Sequence, residues 1–288
     1  MRSPKEMFEG ILHFAKNDER VRAVILNGSR ANPNAPSDIF QDFDIVYVVR
    51  DIASFTKNHQ WIDVFGERRM LQMPETMRHP ANNGYFSYLI LFSDGNRMDL
   101  SLYPEDLLQD LDKRESASIL LLDKDRKILP YPPASDESYL AKKPSKNEYE
   151  SCCNNFWWCT QNVAKGIKRK ELPYAIYMLE IILREELQFV LDWYIGVKTN
   201  HTVSSGKAGK YVKKYLSQSQ YELYEKTYNG SSEEKLWTAL FSMCHLFREV
   251  AAEISSFYQY EYPKEYDENM MVFLLKMKEL PPGATEIF

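Results

Sequence analysis

The chain has 288 residues, 44% hydrophobic and 27% charged, with a net charge of −5 and a pI near 5.7. That is the composition of a soluble globular protein long enough for one large domain or two ordinary ones. The acidic balance argues against a broad nucleic-acid surface, which would be basic, and suits a small cationic ligand. No run of about 18 apolar residues occurs, so no membrane span is expected. The N-terminal stretch is amphipathic and charged and lacks the apolar core of a signal peptide. Three of the four cysteines (Cys152, Cys153, Cys159; the fourth is Cys244) crowd one expected helix, where neither disulfide nor tetrahedral zinc geometry is natural. Reduced thiols and a cytoplasmic location are expected.

Met7, Ile11, Leu12, Phe14 and Ala15 recur at helical spacing and predict a first helix. Val21 to Leu26 and Asp44 to Val49 read as strands, nearly continuous in Val, Ile and Tyr, as in strands covered on both faces. Tyr85 to Phe92 and Arg97 to Tyr103 form a further pair, with Asp94-Gly95 as the hairpin turn. From about Pro130 a stretch rich in Pro, Ser and charge reads as a linker. Beyond it helical periodicity dominates. Ile176, Leu179, Leu183, Leu187, Val190 and Tyr194 make one apolar stripe, with similar stripes over Phe156–Ile167 and Trp237–Ile254. The expectation is an α+β protein: residues 1–135 a small mixed sheet flanked by helices, residues 136–288 a helical bundle.

Asp42 and Asp44 stand two apart at the start of an apolar strand, so they project from one face. Like charges that close repel unless a cation lies between them, and oxygen-only ligands beside phosphate favour magnesium. Asp99 lies on a later strand whose Met98, Leu100 and Leu102 take the opposite face. If that strand neighbours the Asp44 strand, three acids converge. Gly28-Ser29, thirteen residues before Asp42, is a turn whose N–H groups can cradle an anion, with Arg30 adding positive charge. A phosphate cradle beside metal-binding acids points to chemistry on a nucleoside triphosphate, assisted by Mg2+.

In the helical half, Ser204 to Leu216 is basic in an acidic protein and is not a P-loop. Lys207 and Lys210 would share a face if a helix has begun there, and could neutralise a triphosphate. Residues 171–195 carry five acids against Arg184 alone, a surface that would attract a polycation. Glu180 and Glu185 are the acids taken as acceptor contacts. Trp157 and Trp158 are adjacent and cannot both fill the core from one helix.

These stretches carry a resemblance. "LNGSR", "QDFDIVY" and "MDLSL" resemble the polymerase-β-type nucleotidyltransferase pattern. More narrowly, "ILFSDGNRMDLSL", "LLDKD", "CCNNFWW" and "SSGKAGKYVKKYL" resemble the aminoglycoside 6-adenylyltransferases that modify streptomycin. The resemblance implies a nucleotidyltransferase domain, a helical substrate-binding domain, and acceptor bound in the cleft between them. It implies transfer of AMP from Mg-ATP to a hydroxyl with release of pyrophosphate, and hence antibiotic resistance. Asp42, Asp44 and Asp99 match the catalytic and metal-binding acids, and Gly28 and Ser29 the triphosphate turn. The resemblance places Trp157 against the acceptor, where an indole face can hold a guanidinium. The chain departs from the family pattern at Asn155, where an acid is common. The expected partners are a small cationic antibiotic and ATP, with no nucleic acid and no membrane, in a monomer or weak homodimer. The alternatives are another acceptor (a lincosamide, another aminoglycoside or a protein hydroxyl) and an idle nucleotide-binding sensor or antitoxin partner.

Overall fold

The structure, a computed structural model, describes residues 1–80, 83–107 and 116–288. It falls into two compact units, Met1–Ser138 and Tyr139–Phe288. The fold class is α+β, with the sheet in the first unit and a helical bundle in the second.

Helix α1 (Pro4–Asn17) starts where Ser3 and Glu6 form a reciprocal capping box with Pro at the first turn. The strands are β1 (Val21–Asn27), β2 (Phe43–Val49), β3 (Arg68–Gln72), β4 (Phe86–Phe92), β5 (Arg97–Pro104) and β6 (Ser118–Asp123). A one-turn helix, α2 (Ala53–Thr56), follows β2. The strands form one sheet in the order β3-β4-β5-β2-β1-β6. The β2–β5 pair is parallel and the others antiparallel. One face carries Phe43, Ile45, Tyr47, Tyr88, Ile90, Met98, Leu100 and Leu102, all essentially inaccessible, and packs with Met7, Ile11 and Ala15 of α1. The Tyr47 hydroxyl meets its hydrogen-bonding need inside this core by donating to the Ile11 carbonyl at 2.7 Å.

Strands β3 and β6 have no counterpart in the sequence reading. Arg68-Arg69 make β3 too polar to read as a buried strand, and it is an edge strand with exposed side chains. The "LLDKD" stretch ends β6 in a turn, where the Asp123 carboxylate accepts from the Asp125 and Ile128 N–H groups. Asp125 in turn pairs with the buried Arg22.

The second unit contains α3 (Lys146–Lys168), α4 (Leu172–Tyr177), α5 (Arg184–Thr199), α6 (Gln218–Lys226), α7 (Glu233–Tyr258) and α8 (Lys264–Glu279). Capping boxes open α3 (Ser145 with Glu148) and α6 (Ser217 with Gln220). Helix α3 packs on α8, and α7 on α5 and α6. Their common core includes Phe156, Trp157, Leu183, Leu187, Val190, Trp237, Phe247 and Leu274. The single stripe predicted through residues 176–194 is not one α-helix: Met178–Leu183 winds as a π-helix between α4 and α5. All four cysteines are free and buried. Among the described residues no helix is long and apolar enough to cross a membrane.

Candidate active site

Register decides what the polar face of the sheet presents. In the parallel β2–β5 pair, Asp44 is the direct partner of Asp99. In the β1–β2 pair Asn27 is the partner of Asp44, and in the β1–β6 pair Asn27 is the partner of Ser118. Direct partners lie side by side on one face, so Ser118, Asn27, Asp44 and Asp99 form one polar row across four strands. The Ser118 hydroxyl donates to Asn27 Oδ1 at 2.8 Å. This fixes the amide so that Asn27 Nδ2 points away from Ser118.

The Gly28 turn leans on this row. Gly28 sits at φ 73°, a left-handed value, and a Cβ there would collide with a carboxylate oxygen of Asp44. Only glycine lets the turn and the acid stand this close. Residues Gly28–Arg30 form a single 3-10 turn whose carbonyl at Gly28 accepts from the N–H groups of Ala31 and Asn32. The leading N–H groups of such a turn have no partner within it, and that of Gly28 finds one outside, the Ala117 carbonyl at 3.1 Å.

Arg30 has a different role from the one expected. Its guanidinium donates to the carbonyls of Asp42 (3.0 Å) and Gln41 (2.7 Å) and lies 3.9 Å over the Phe43 ring. Gln41 answers by donating to the Ser29 carbonyl at 3.2 Å. Arg30 thus ties the turn to the segment carrying Asp42, because those carbonyls precede the β2 ladder and need donors.

A second arginine meets the acids directly. Arg97 binds Asp99 through two N–H donors, at 2.9 and 2.7 Å, and reaches Asp42 at 3.3 Å through its third nitrogen. The Asp42 carboxyl is held above the usual carboxylate range, chiefly by burial. Arg97 pulls it down and Asp99 pushes it up. Asn27, Ser118 and Arg97 were missed by the sequence reading. Arg97 was detectable: it stands two residues before Asp99, so strand alternation puts both on one face.

The donor set suits a hard divalent cation, being carboxylate oxygen with no competing Cys or His at these positions. As the side chains stand, no three His, Cys, Asp or Glu among the described residues form a group able to hold a metal. The Arg97 guanidinium occupies the space between Asp42 and Asp99.

In the helical unit the expected contacts fare unevenly. Trp157 is a correction: it is 1% exposed and packs against Phe156 and Phe247, whereas Trp158 is 65% exposed. The helical period turns one of two neighbours inward, and the core of α3 claims Trp157. Glu180 forms a two-point ion pair with Arg184 (2.6 and 2.9 Å), which also binds Thr227. Glu185 is exposed, while Glu186 accepts from Asn155 at 2.6 Å. Asp192 is half-buried, and burial raises its pKa. The acidic surface read from composition therefore shrinks to fewer uncommitted carboxylates. Lys207 and Lys210 are exposed but share no helix: residues Lys207–Gly209 make one 3-10 turn with Ala208 in a left-handed conformation.

Comparison with known proteins decides the family. The streptomycin adenylyltransferase family profile matches residues 1–277. This chain belongs to that family. It is a nucleotidyltransferase. Over 280 residues it is 41% identical to an aminoglycoside 6-adenylyltransferase of Campylobacter jejuni, covering 97% of both chains. Over 273 residues it is 41% identical to one from Bacillus subtilis, covering 94% of this chain and 96% of that one. A crystal structure of a Bacillus subtilis aminoglycoside 6-adenyltransferase is 37% identical, covers 97% of this chain and 100% of its own, and gives a TM-score of 0.48.

Proposed function

We propose that the protein transfers AMP from Mg-ATP to a hydroxyl of streptomycin, releasing pyrophosphate, and so confers resistance to that antibiotic. The reading rests on one observation: Asp44 and Asp99 stand in direct register across a parallel strand pair, against a turn that only glycine can form. The family and its aminoglycoside-modifying members support the acceptor class.

In this reading the hydroxyl oxygen attacks the α-phosphorus of ATP, and the bond to the pyrophosphate oxygen breaks. Asp42, Asp44 and Asp99 would hold Mg2+, which when bound polarises the phosphate oxygens and offsets their charge. Asp99 takes the hydroxyl proton. The turn would receive the phosphates at Ser29, through its backbone N–H and hydroxyl, since the Gly28 N–H is already donated to the Ala117 carbonyl. Arg30 keeps that turn and Asp42 in one rigid piece. The helical unit receives the cationic acceptor, with Glu185 as an exposed acid available to it. The protein works in the cytoplasm, where ATP is present.

The test is to incubate the protein with Mg-ATP and a panel of aminoglycosides, following pyrophosphate release and product mass. Streptomycin is expected to gain one AMP unit. Gain on another aminoglycoside alone would move the acceptor. No gain on any compound, with ATP still bound, would turn the reading to a nucleotide sensor.

A further inference from the structure

Arg97 stands where a metal-binding site would need open space. It is the first residue of β5, its side chain 46% exposed, and its three nitrogens join Asp99 to Asp42. Asp99 and Asp42 keep 24% and 33% of their side chains in solvent. Arg30, the other arginine near these acids among the described residues, is committed to the Gln41 and Asp42 carbonyls. A metal ion bound by two carboxylates draws their oxygens to about 2.0–2.1 Å from itself. A guanidinium holds them on opposite edges of a plane several ångströms wide. Metal and guanidinium therefore exclude one another between Asp42 and Asp99. The guanidinium stands half in solvent and both carboxylates partly so, which limits what releasing the two ion pairs costs. The exposed arginine also has somewhere to go once a triphosphate is present, because planar guanidinium groups match phosphate oxygens in two-point contacts.

We propose that Arg97 is a tethered counter-ion for the acid row: it suppresses divalent-cation binding by Asp42 and Asp99 until a nucleoside triphosphate arrives with the metal and takes over the guanidinium. This rests on the functional reading above. It makes Arg97 a positioning residue that enforces joint arrival of metal and nucleotide.

The test titrates Mn2+ alone into the full-length protein, without nucleotide, following free Mn2+ by electron paramagnetic resonance. Arg97→Gln is expected to bind Mn2+ about threefold to tenfold more tightly than the wild type, the factor that one or two exposed ion pairs supply. Adding Asp42→Asn to Arg97→Gln should remove the gain. Repeating the titration with a non-hydrolysable ATP analogue should shrink the difference between wild type and Arg97→Gln. Arg97→Lys serves if the glutamine variant fails to fold, since a point charge cannot join two carboxylates in the same way. It should lie between wild type and Arg97→Gln. Equal or weaker Mn2+ binding by Arg97→Gln, with Asp44→Asn still weakening binding, would overturn the counter-ion while leaving the acids in place. Unchanged Mn2+ binding in Asp44→Asn would remove the metal site itself, and the counter-ion with it.

Discussion

The two units place polar side chains by different rules. In the sheet unit, backbone register aligns Ser118, Asn27, Asp44 and Asp99 in one row, although they come from four strands spread over 92 positions of the chain. In the helical unit, polar residues meet partners that are near in sequence or a helix away: Glu180 with Arg184, Glu186 with Asn155, Asp192 with Gln188. A ladder fixes its neighbours in register whatever their distance along the chain. A helix surface pairs its acids with a base or an amide a turn or a helix away. Chemistry that needs several carboxylates pre-set side by side therefore belongs on the sheet.

The sharpest way to break this comparison is Asp44→Asn. It keeps the shape packed against Gly28 and should lower AMP transfer by about a thousandfold, the scale of losing several kcal/mol of metal-derived stabilisation. The melting temperature should hardly change. Turnover near the wild-type level would place the chemistry elsewhere. Next in size, Trp157→Ala should cost about 3–5 kcal/mol in denaturant unfolding. Trp158→Ala should stay within about 0.5 kcal/mol. Equal losses for the two would mean that α3 is rotated from the orientation described.

Much of the fold was legible because burial leaves a periodic mark. The apolar runs of β1 and β2, the strand pair β4 and β5 with its Asp94-Gly95 turn, and the stripes of α3 and α7 each carry such a mark. Edge strand β3 carries none, because none of its side chains is fully buried. The acid row was legible in part: Asp42, Asp44 and Asp99 stand out as charges inside apolar runs. Asn27 and Ser118 look like ordinary strand ends, and only pairing across β1 and β6 gives them meaning. Trp157 and Trp158 carry the same local signal, so only the core behind α3 separates them. The π-turn at Met178–Leu183 preserves the apolar spacing and is invisible to periodicity.

A smaller effect sharpens the electrostatic side. Asp94 is held well below the usual carboxylate range, mainly by the Arg2 side chain and then by backbone N–H groups of Arg2 and Asn96, against the opposing pull of burial. A depressed folded-state pKa gives stability that is present above the unfolded value of about 3.9 and is lost as the pH falls below it. Asp94→Asn should therefore cost about 1 kcal/mol at pH 7. The gap to wild type should hold down to about pH 4, narrow through pH 3, and close only at still lower pH, where Asp94 is protonated in the folded state as well. A gap independent of pH would mean that the contact acts through shape rather than charge. Smallest of all, Lys207→Ala should raise the apparent ATP requirement by about twofold to fivefold, as an exposed charge would. An unchanged requirement in steady-state kinetics would leave that turn with no part in nucleotide binding.

The parallel pairing of β2 with β5 has a consequence for how this chain can vary. Fifty-five positions separate Asp44 from Asp99 along the chain, yet the two meet through strand pairing alone. Length changes between the two strands are absorbed by whatever connects them. A one-residue insertion inside β5 ahead of Asp99 would turn that carboxylate onto the oily side and bring Met98 out in its place. Engineered length changes should therefore be tolerated in the loops of that stretch and not within β2, β4 or β5, where they would shift register.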